Sequence, residues 1–176
     1  MPAVIRPYRN VWPKIDPTAF VAETATVIGD VVIGPESGVW YGCTVRGDVN
    51  EIRIGARTNI QDGTVIHVAR AGQGTYIGDE VTIGHMALLH ACTLEDNCFI
   101  GMKACVMDGA VVEAGAMVAA GALVTPGKRV SAGWLWAGSP ARPVRPLTDQ
   151  DRVFFPINVT NYVELGREHR QTTEET

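Results

Sequence analysis

Aliphatic residues recur every six positions along most of this chain. The series runs Val21, Val27, Ile33, Val39, Val45, then Ile54, Ile60, Ile66, then Ile77, Ile83, Leu89. It resumes as Leu94, Ile100, Val106, Val112, Val118, Val124 and Val130. A period of six fits neither the 3.6-residue repeat of a helix nor the two-residue alternation of a strand. It predicts a parallel β-helix of hexapeptide repeats, three hexads to a coil, with each ladder residue pointing inward against its equivalent one coil away. Residues 21–130 then form roughly six coils about 4.8 Å apart.

The period breaks three times. Val45 to Ile54 spans nine residues, Ile66 to Ile77 eleven, and Leu89 to Leu94 five. Each break adjoins a histidine or the Arg46–Asp48 segment, which marks this stretch as a worked surface. Val68–Tyr76, containing Ala-Gly-Gln-Gly, reads as a loop extruded from a corner.

The pattern divides the chain into a Pro-rich, irregular lead-in (1–20), a hexapeptide-repeat region (21–135), and an exit segment with a C-terminal helix packed on the coils (136–176). In the exit, Pro140, Pro143 and Pro146 argue against a regular element. Thr148 caps a helix whose first turn holds Asp149 and Asp151. Pro156 is expected to divide or restart that helix, and Val159, Tyr162, Val163 and Leu165 to form its inner face. The final residues, Gln171–Thr176, are expected to fray.

Composition narrows the function. Val and Ile dominate the apolar set, Gly and Ala are plentiful, and aromatics make up 7%, which suits narrow coils with many corners. The net charge of −4 without a basic cluster excludes nucleic acid as a partner. No apolar run is long enough to span a bilayer, and the first residues lack the apolar core of a secretory signal. A cytoplasmic protein is expected. Cys43 and Cys98 share the fifth hexad position with Ala104, Ala110, Ala116 and Ala122. The four cysteines therefore read as small core residues near corners, with no disulfide or redox role.

Three of the four histidines, His67, His85 and His90, carry the candidate chemistry. His67 and His90 are 23 residues apart, one coil of 18 plus the five-residue surplus of the loop after Ile66. Both follow a ladder residue directly, so they stack on one face in adjacent coils, about 5 Å apart at the root. Two imidazoles so placed can share one ion, since zinc holds nitrogen at about 2.0–2.1 Å. His85 lies around a corner on the preceding face. A three-histidine site then needs a neighbouring copy to bring its own His85 across, which three-fold packing of triangular prisms achieves at three equivalent interfaces.

The same phase counting places the polar neighbours. Arg46 lies one coil below His67, and Gln61 one coil below the hexad that carries His85, flanked by Asn59 and Asp62. A neutral amide at Gln61 can orient a nucleophile or a small neutral substrate without adding charge. Arg46 and Asp48 are suited to a structural, bidentate pairing across the interface.

These residues resemble the gamma-class carbonic anhydrases and their hexapeptide-repeat relatives. The resemblance rests on VRGD (45–48), NIQDGTVIH (59–67), TIGHMALLH (82–90), IGMKACV (100–106) and GSPARPVR (138–145), and it covers essentially the whole chain. It implies an all-β, left-handed parallel β-helix with a C-terminal helix, assembled as a homotrimer. Zn2+, or Fe2+ or Co2+ in its place, would sit between subunits on His67, His85 and His90. Arg46 and Asp48 match the interface ion pair, Asn59 and Gln61 the polar residues beside the metal, and Tyr162 a tyrosine reaching the pocket from the helix. Two departures stand out. Val49 occupies the place of the proton-shuttling glutamate, and the acidic loop after the first histidine is here VARAGQGTY.

The leading reading is a zinc-dependent lyase of the carbonate dehydratase class, in which metal-bound hydroxide attacks CO2 to give bicarbonate, weakened by Val49. A second is a catalytically silent metal-binding trimer that presents a surface to a protein partner. A third is an acyltransferase or thioesterase of the hexapeptide type.

Overall fold

The computed structural model describes residues 3–174. The hexads wind into a parallel β-helix of about seven turns. One face stacks Val65–His67, Leu88–His90, Cys105–Val106 and Leu123–Val124; a second stacks Thr75–Ile77, Thr93–Leu94, Val111–Val112 and Arg129–Val130. The long strands Thr26–Ile33 and Thr44–Ile54 cross the corner between these two faces and join them into one 12-stranded sheet. The third face, eight strands from Phe20–Val21 to Ala141–Pro146, forms a separate sheet.

From Val27 to Val130 every ladder residue is buried inside the prism. Burying each such side chain contributes on the order of 1.5–3 kcal/mol, but only when a neighbouring coil covers it. Most corners follow one rule. The fourth hexad position adopts a left-handed backbone, by glycine at Gly63 and Gly109 and by a side-chain-bearing residue at Arg57, Met86 and Lys103. Their amides donate across the corner to the coil below, as from Met86 to the Asp62 carbonyl and from Lys103 to the His85 carbonyl, both 2.8 Å. These bonds offset the roughly 1–2 kcal/mol cost of that conformation. The fifth position turns inward and is small, which is why Cys43, Cys98 and the alanines are buried there. Burial pushes the Cys43 thiol up to about 11, and the four cysteines are free thiols.

The ends are more regular than the sequence suggests. Within the lead-in, Val4–Arg6 pairs with Thr26–Ile28 and Lys14–Ile15 with Val32–Ile33, both parallel, so this segment adds part of a further coil. Trp134–Gly138 and Ala141–Pro146 form an antiparallel hairpin despite the prolines. The second strand of that hairpin is the sheet's last, so its outward edge needs no N–H donors, and proline is tolerated there.

The C-terminal helix runs unbroken from Asp149 to Glu174. Thr148 caps it reciprocally: its Oγ1 accepts from the Asp151 amide at 3.2 Å and the Asp151 carboxylate accepts from the Thr148 amide at 2.8 Å. The Arg145 guanidinium, 2.6 Å from Asp151, together with those cap bonds holds the Asp151 carboxyl far below the usual range. Pro156 lies inside the helix without dividing it; the residue is exposed, so water can serve the carbonyl its missing N–H leaves free. Phe155, Val159 and Val163 are the buried face, and Tyr162 packs partly against the core. Leu165 does not join it and is 39% exposed. The helix extends through the segment expected to fray as far as Glu174, and Glu175 and Thr176 lie outside the described residues. Among the described residues no helix is long and apolar enough to cross a membrane.

Candidate metal centre

Adjacent strands bring His67 and His90 into direct register, following Val65↔Leu88 and Ile66↔Leu89. Their ring centroids are 5.2 Å apart. The eleven-residue step is absorbed by a loop between Val65–His67 and Thr75–Ile77, so the surplus leaves the strands in phase. Thr75 Oγ1 closes the loop by donating to the His67 carbonyl at 2.6 Å.

Each of the three imidazoles meets a carboxylate. His67 Nε2 lies 3.0 Å from Asp48 Oδ1, His90 Nδ1 2.7 Å from Asp108 Oδ1, and His85 Nδ1 2.9 Å from Asp62 Oδ2. Asp48 also takes the Arg46 guanidinium. Burial pushes the Asp48 carboxyl up, but the hydrogen bonds from His67 and Arg46 outweigh it and hold the group below its ordinary value. A carboxylate on one ring nitrogen fixes the proton there and leaves the other nitrogen with a lone pair for a cation. No protein group takes that second nitrogen in any of the three rings among the described residues. The donor chemistry therefore fits a divalent ion.

Among the described residues, no three of His, Cys, Asp and Glu converge within the chain. His85 instead belongs to a different corner, where it lines a cavity of about 270 Å³ with Gln61, Gly84, Phe99, Met102, Met117, Phe154, Asn158 and Tyr162. Ile60 pairs with Ile83, which sets Gln61 opposite Gly84 and Asp62 opposite His85. Phe154, Asn158 and Tyr162 recur every fourth residue on one stripe of the helix and form the far wall. Burial, with Asp62 nearby, raises the Tyr162 phenol above its ordinary value. Gln61 is 4% exposed and donates through Nε2 to Asn59 Oδ1 at 3.0 Å.

The structure thus brings His67, His90, Arg46 and Asp48 together on one surface, and His85, Gln61, Asn59 and Tyr162 on another. Two participants escaped the sequence reading. Asp108 was within reach of phase counting, since the short step from Leu89 to Leu94 makes Val106 the partner of Leu89 and brings Asp108 close to His90. Asn158 was not, because its partners depend on how the helix docks. Glu51, the carboxylate two residues beyond Val49, is engaged through both oxygens: Tyr76 Oη donates to it at 2.9 Å and Arg53 Nη2 at 2.6 Å.

Comparison with known proteins agrees with this architecture. The family described as hexapeptide repeat of succinyl-transferase matches residues 92–126. The carbonic anhydrase of Geobacillus kaustophilus is 41% identical over 95% of this chain and 91% of its own length. The probable carbonic anhydrase of Methanocaldococcus jannaschii is 47% identical over 83% and 91%. Gamma carbonic anhydrase 1, mitochondrial, of Arabidopsis thaliana is 52% identical over 89% of this chain, which spans 59% of that plant protein. Among solved structures, a hexapeptide transferase family protein from Anaplasma phagocytophilum superposes with a TM-score of 0.90 at 49% identity, covering 94% of this chain and 97% of its own. With a buried hexapeptide ladder and relatives 41–52% identical that match 83–95% of it, the chain belongs to the gamma carbonic anhydrase family.

Proposed function

We propose that the protein is a zinc-dependent carbonic anhydrase-like enzyme that interconverts CO2 and bicarbonate at sites shared between the subunits of a homotrimer. The observation that carries this reading is the split donor set: two imidazoles in register on one face, and a third around the corner beside a pocket. His67 and His90 of one copy and His85 of the next would hold the ion. Bare apolar side chains flank both halves, with Val65 and Leu88 beside the histidine pair and Met86 and Met102 beside His85, all 37–61% exposed. A neighbouring copy would cover them. Held by these three imidazoles, zinc would lower the pKa of a bound water toward about 7 and so supply a nucleophile at neutral pH.

The chain's own groups do the remainder. Phe99, Met102 and Met117 offer an uncharged niche suited to a neutral gas molecule. Gln61, held by Asn59, presents its free amide atoms to that niche, and Tyr162 closes it from the helix. Arg46 and Asp48 orient His67 and stiffen the shared surface.

Hydration of each CO2 releases one proton. Val49 is partly buried against the core and cannot carry it, and both oxygens of Glu51 are already bonded. Proton export would therefore limit turnover. That same observation supports a second reading, a metal-binding trimer without useful catalysis that serves as a surface for a protein partner.

Metal analysis followed by stopped-flow CO2 hydration on the metal-replete protein tests the proposal. One ion per subunit and hydration well above the uncatalysed rate are the expected result. Stoichiometric metal with no hydration favours the silent trimer. Protein that purifies metal-free and takes up no zinc overturns both and favours an acyltransferase.

A further inference from the structure

Buried polar side chains are scarce where the helix meets the third face, a contact otherwise built from Phe20, Trp40, Phe155, Val159 and Val163. Three that do occur there form a line. Asn59, Gln61 and Thr82 are each at most 4% exposed. Gln61 Nε2 donates to Asn59 Oδ1, Asn59 Nδ2 donates to Thr82 Oγ1, and Thr82 Oγ1 donates to Asn158 Oδ1, every link at 3.0 Å. Thr82 and Asn59 are register partners in adjacent strands, so the sheet fixes their spacing. Asn158 arrives from the helix, 76 residues further along the chain.

We infer that Asn158 is a positioning residue that sets which atom of Gln61 faces the pocket, acting through Thr82 and Asn59. A hydroxyl has a single proton, so a Thr82 that donates to Asn158 must accept from Asn59. Asn59 then turns its Nδ2 to Thr82 and its Oδ1 to Gln61. Gln61 spends one N–H on that oxygen and is left with its carbonyl Oε1 toward the pocket. With the opposite polarity Gln61 would offer both N–H groups instead. The acceptor on the helix selects between these two states, and the helix thereby reads its own docking into the site. The sealed chain also avoids the cost of leaving a buried amide unpaired.

This inference rests on the proposed role of Gln61, and the test separates the two. Asn158→Leu removes the acceptor and should lower kcat/KM about tenfold, the equivalent of one hydrogen bond. Thr82→Ser should behave as wild type and Thr82→Val as Asn158→Leu. The double variant Asn158→Leu/Thr82→Val should lose no more than either single change, because one path is cut twice. Metal content and subunit assembly should not change in any of them. In metal-free protein, the Gln61 side-chain amide should give one pair of NMR signals protected from solvent exchange, which should shift and exchange faster in Asn158→Leu. Additive losses, or unaltered Gln61 signals in Asn158→Leu and Thr82→Val, would overturn the relay. If Gln61→Ala leaves hydration intact while the NMR effects appear, the relay stands as structure and the catalytic role of Gln61 fails.

Discussion

The coils from Cys43 to Leu94 and those from Leu94 to Val130 obey the same hexad rule yet are built to different standards. The upper stretch repeats without interruption, its fifth positions filled by Ala104, Ala110, Ala116 and Ala122 and its outer strands only two residues long. The lower stretch holds all three broken steps, the three candidate histidines, and the buried Asn59, Gln61 and Thr82. Stacking energy is available to both, since their ladder residues are equally buried. The regular coils supply a rigid neighbour, and the irregular coils spend part of that stability on loops, buried amides and paired carboxylates.

Substitutions can sharpen or break this contrast. The largest effect is expected in the lower coils: His67→Ala and His85→Ala should each abolish metal uptake while leaving the fold, as judged by circular dichroism. Refolding the two variants together in equal amounts should restore about a quarter of the sites, because an intact half from each can meet at an interface. No restoration would place the third ligand within one chain. In the upper coils, Ile100→Ala should lower stability by about 2–5 kcal/mol in denaturant titration without changing metal stoichiometry. Metal loss well before unfolding in that variant would contradict the division of labour. Val49→Glu should raise kcat for hydration several-fold with kcat/KM little altered, since it addresses proton export alone; an unchanged kcat would show that another step limits. Smallest, Asp151→Ala removes the helix-cap reciprocity and the Arg145 pair and should cost about 1 kcal/mol. Asp151 is held below its unfolded value, so its contribution is present above the ordinary carboxylate range and is lost as pH falls from that range down through the depressed folded value. The difference between wild type and Asp151→Ala should accordingly vanish in acid.

The interior of the prism was legible because one inward residue per hexad leaves a six-residue period that helices and ordinary strands lack. Phase counting also foresaw the strand register of His67 and His90, since surplus residues sit in a loop and the sheet repeat continues past them. The ends were less legible. Val4–Arg6 pairs through backbone groups with exposed side chains, so it carries no buried pattern to read. The hairpin of Trp134–Pro146 uses an edge where proline is harmless, a context visible only once the neighbouring strands are in place. Pro156 was expected to interrupt a helix that tertiary packing of Phe155 and Val159 holds together. Leu165 was counted inward because apolar spacing alone cannot say where the buried arc stops. Asn158 had no signal, because its partners come from a sheet far away in sequence.

The registered pair of imidazoles has its root spacing dictated by the hydrogen-bond repeat of the backbone, which is common to parallel sheets at large. No exchange of core side chains elsewhere in the prism can stretch or compress it. Within the proposed site, tuning toward one cation or another would therefore fall to the incoming His85 and its Asp62 brace, so selectivity would be written in how two copies meet more than in either copy by itself.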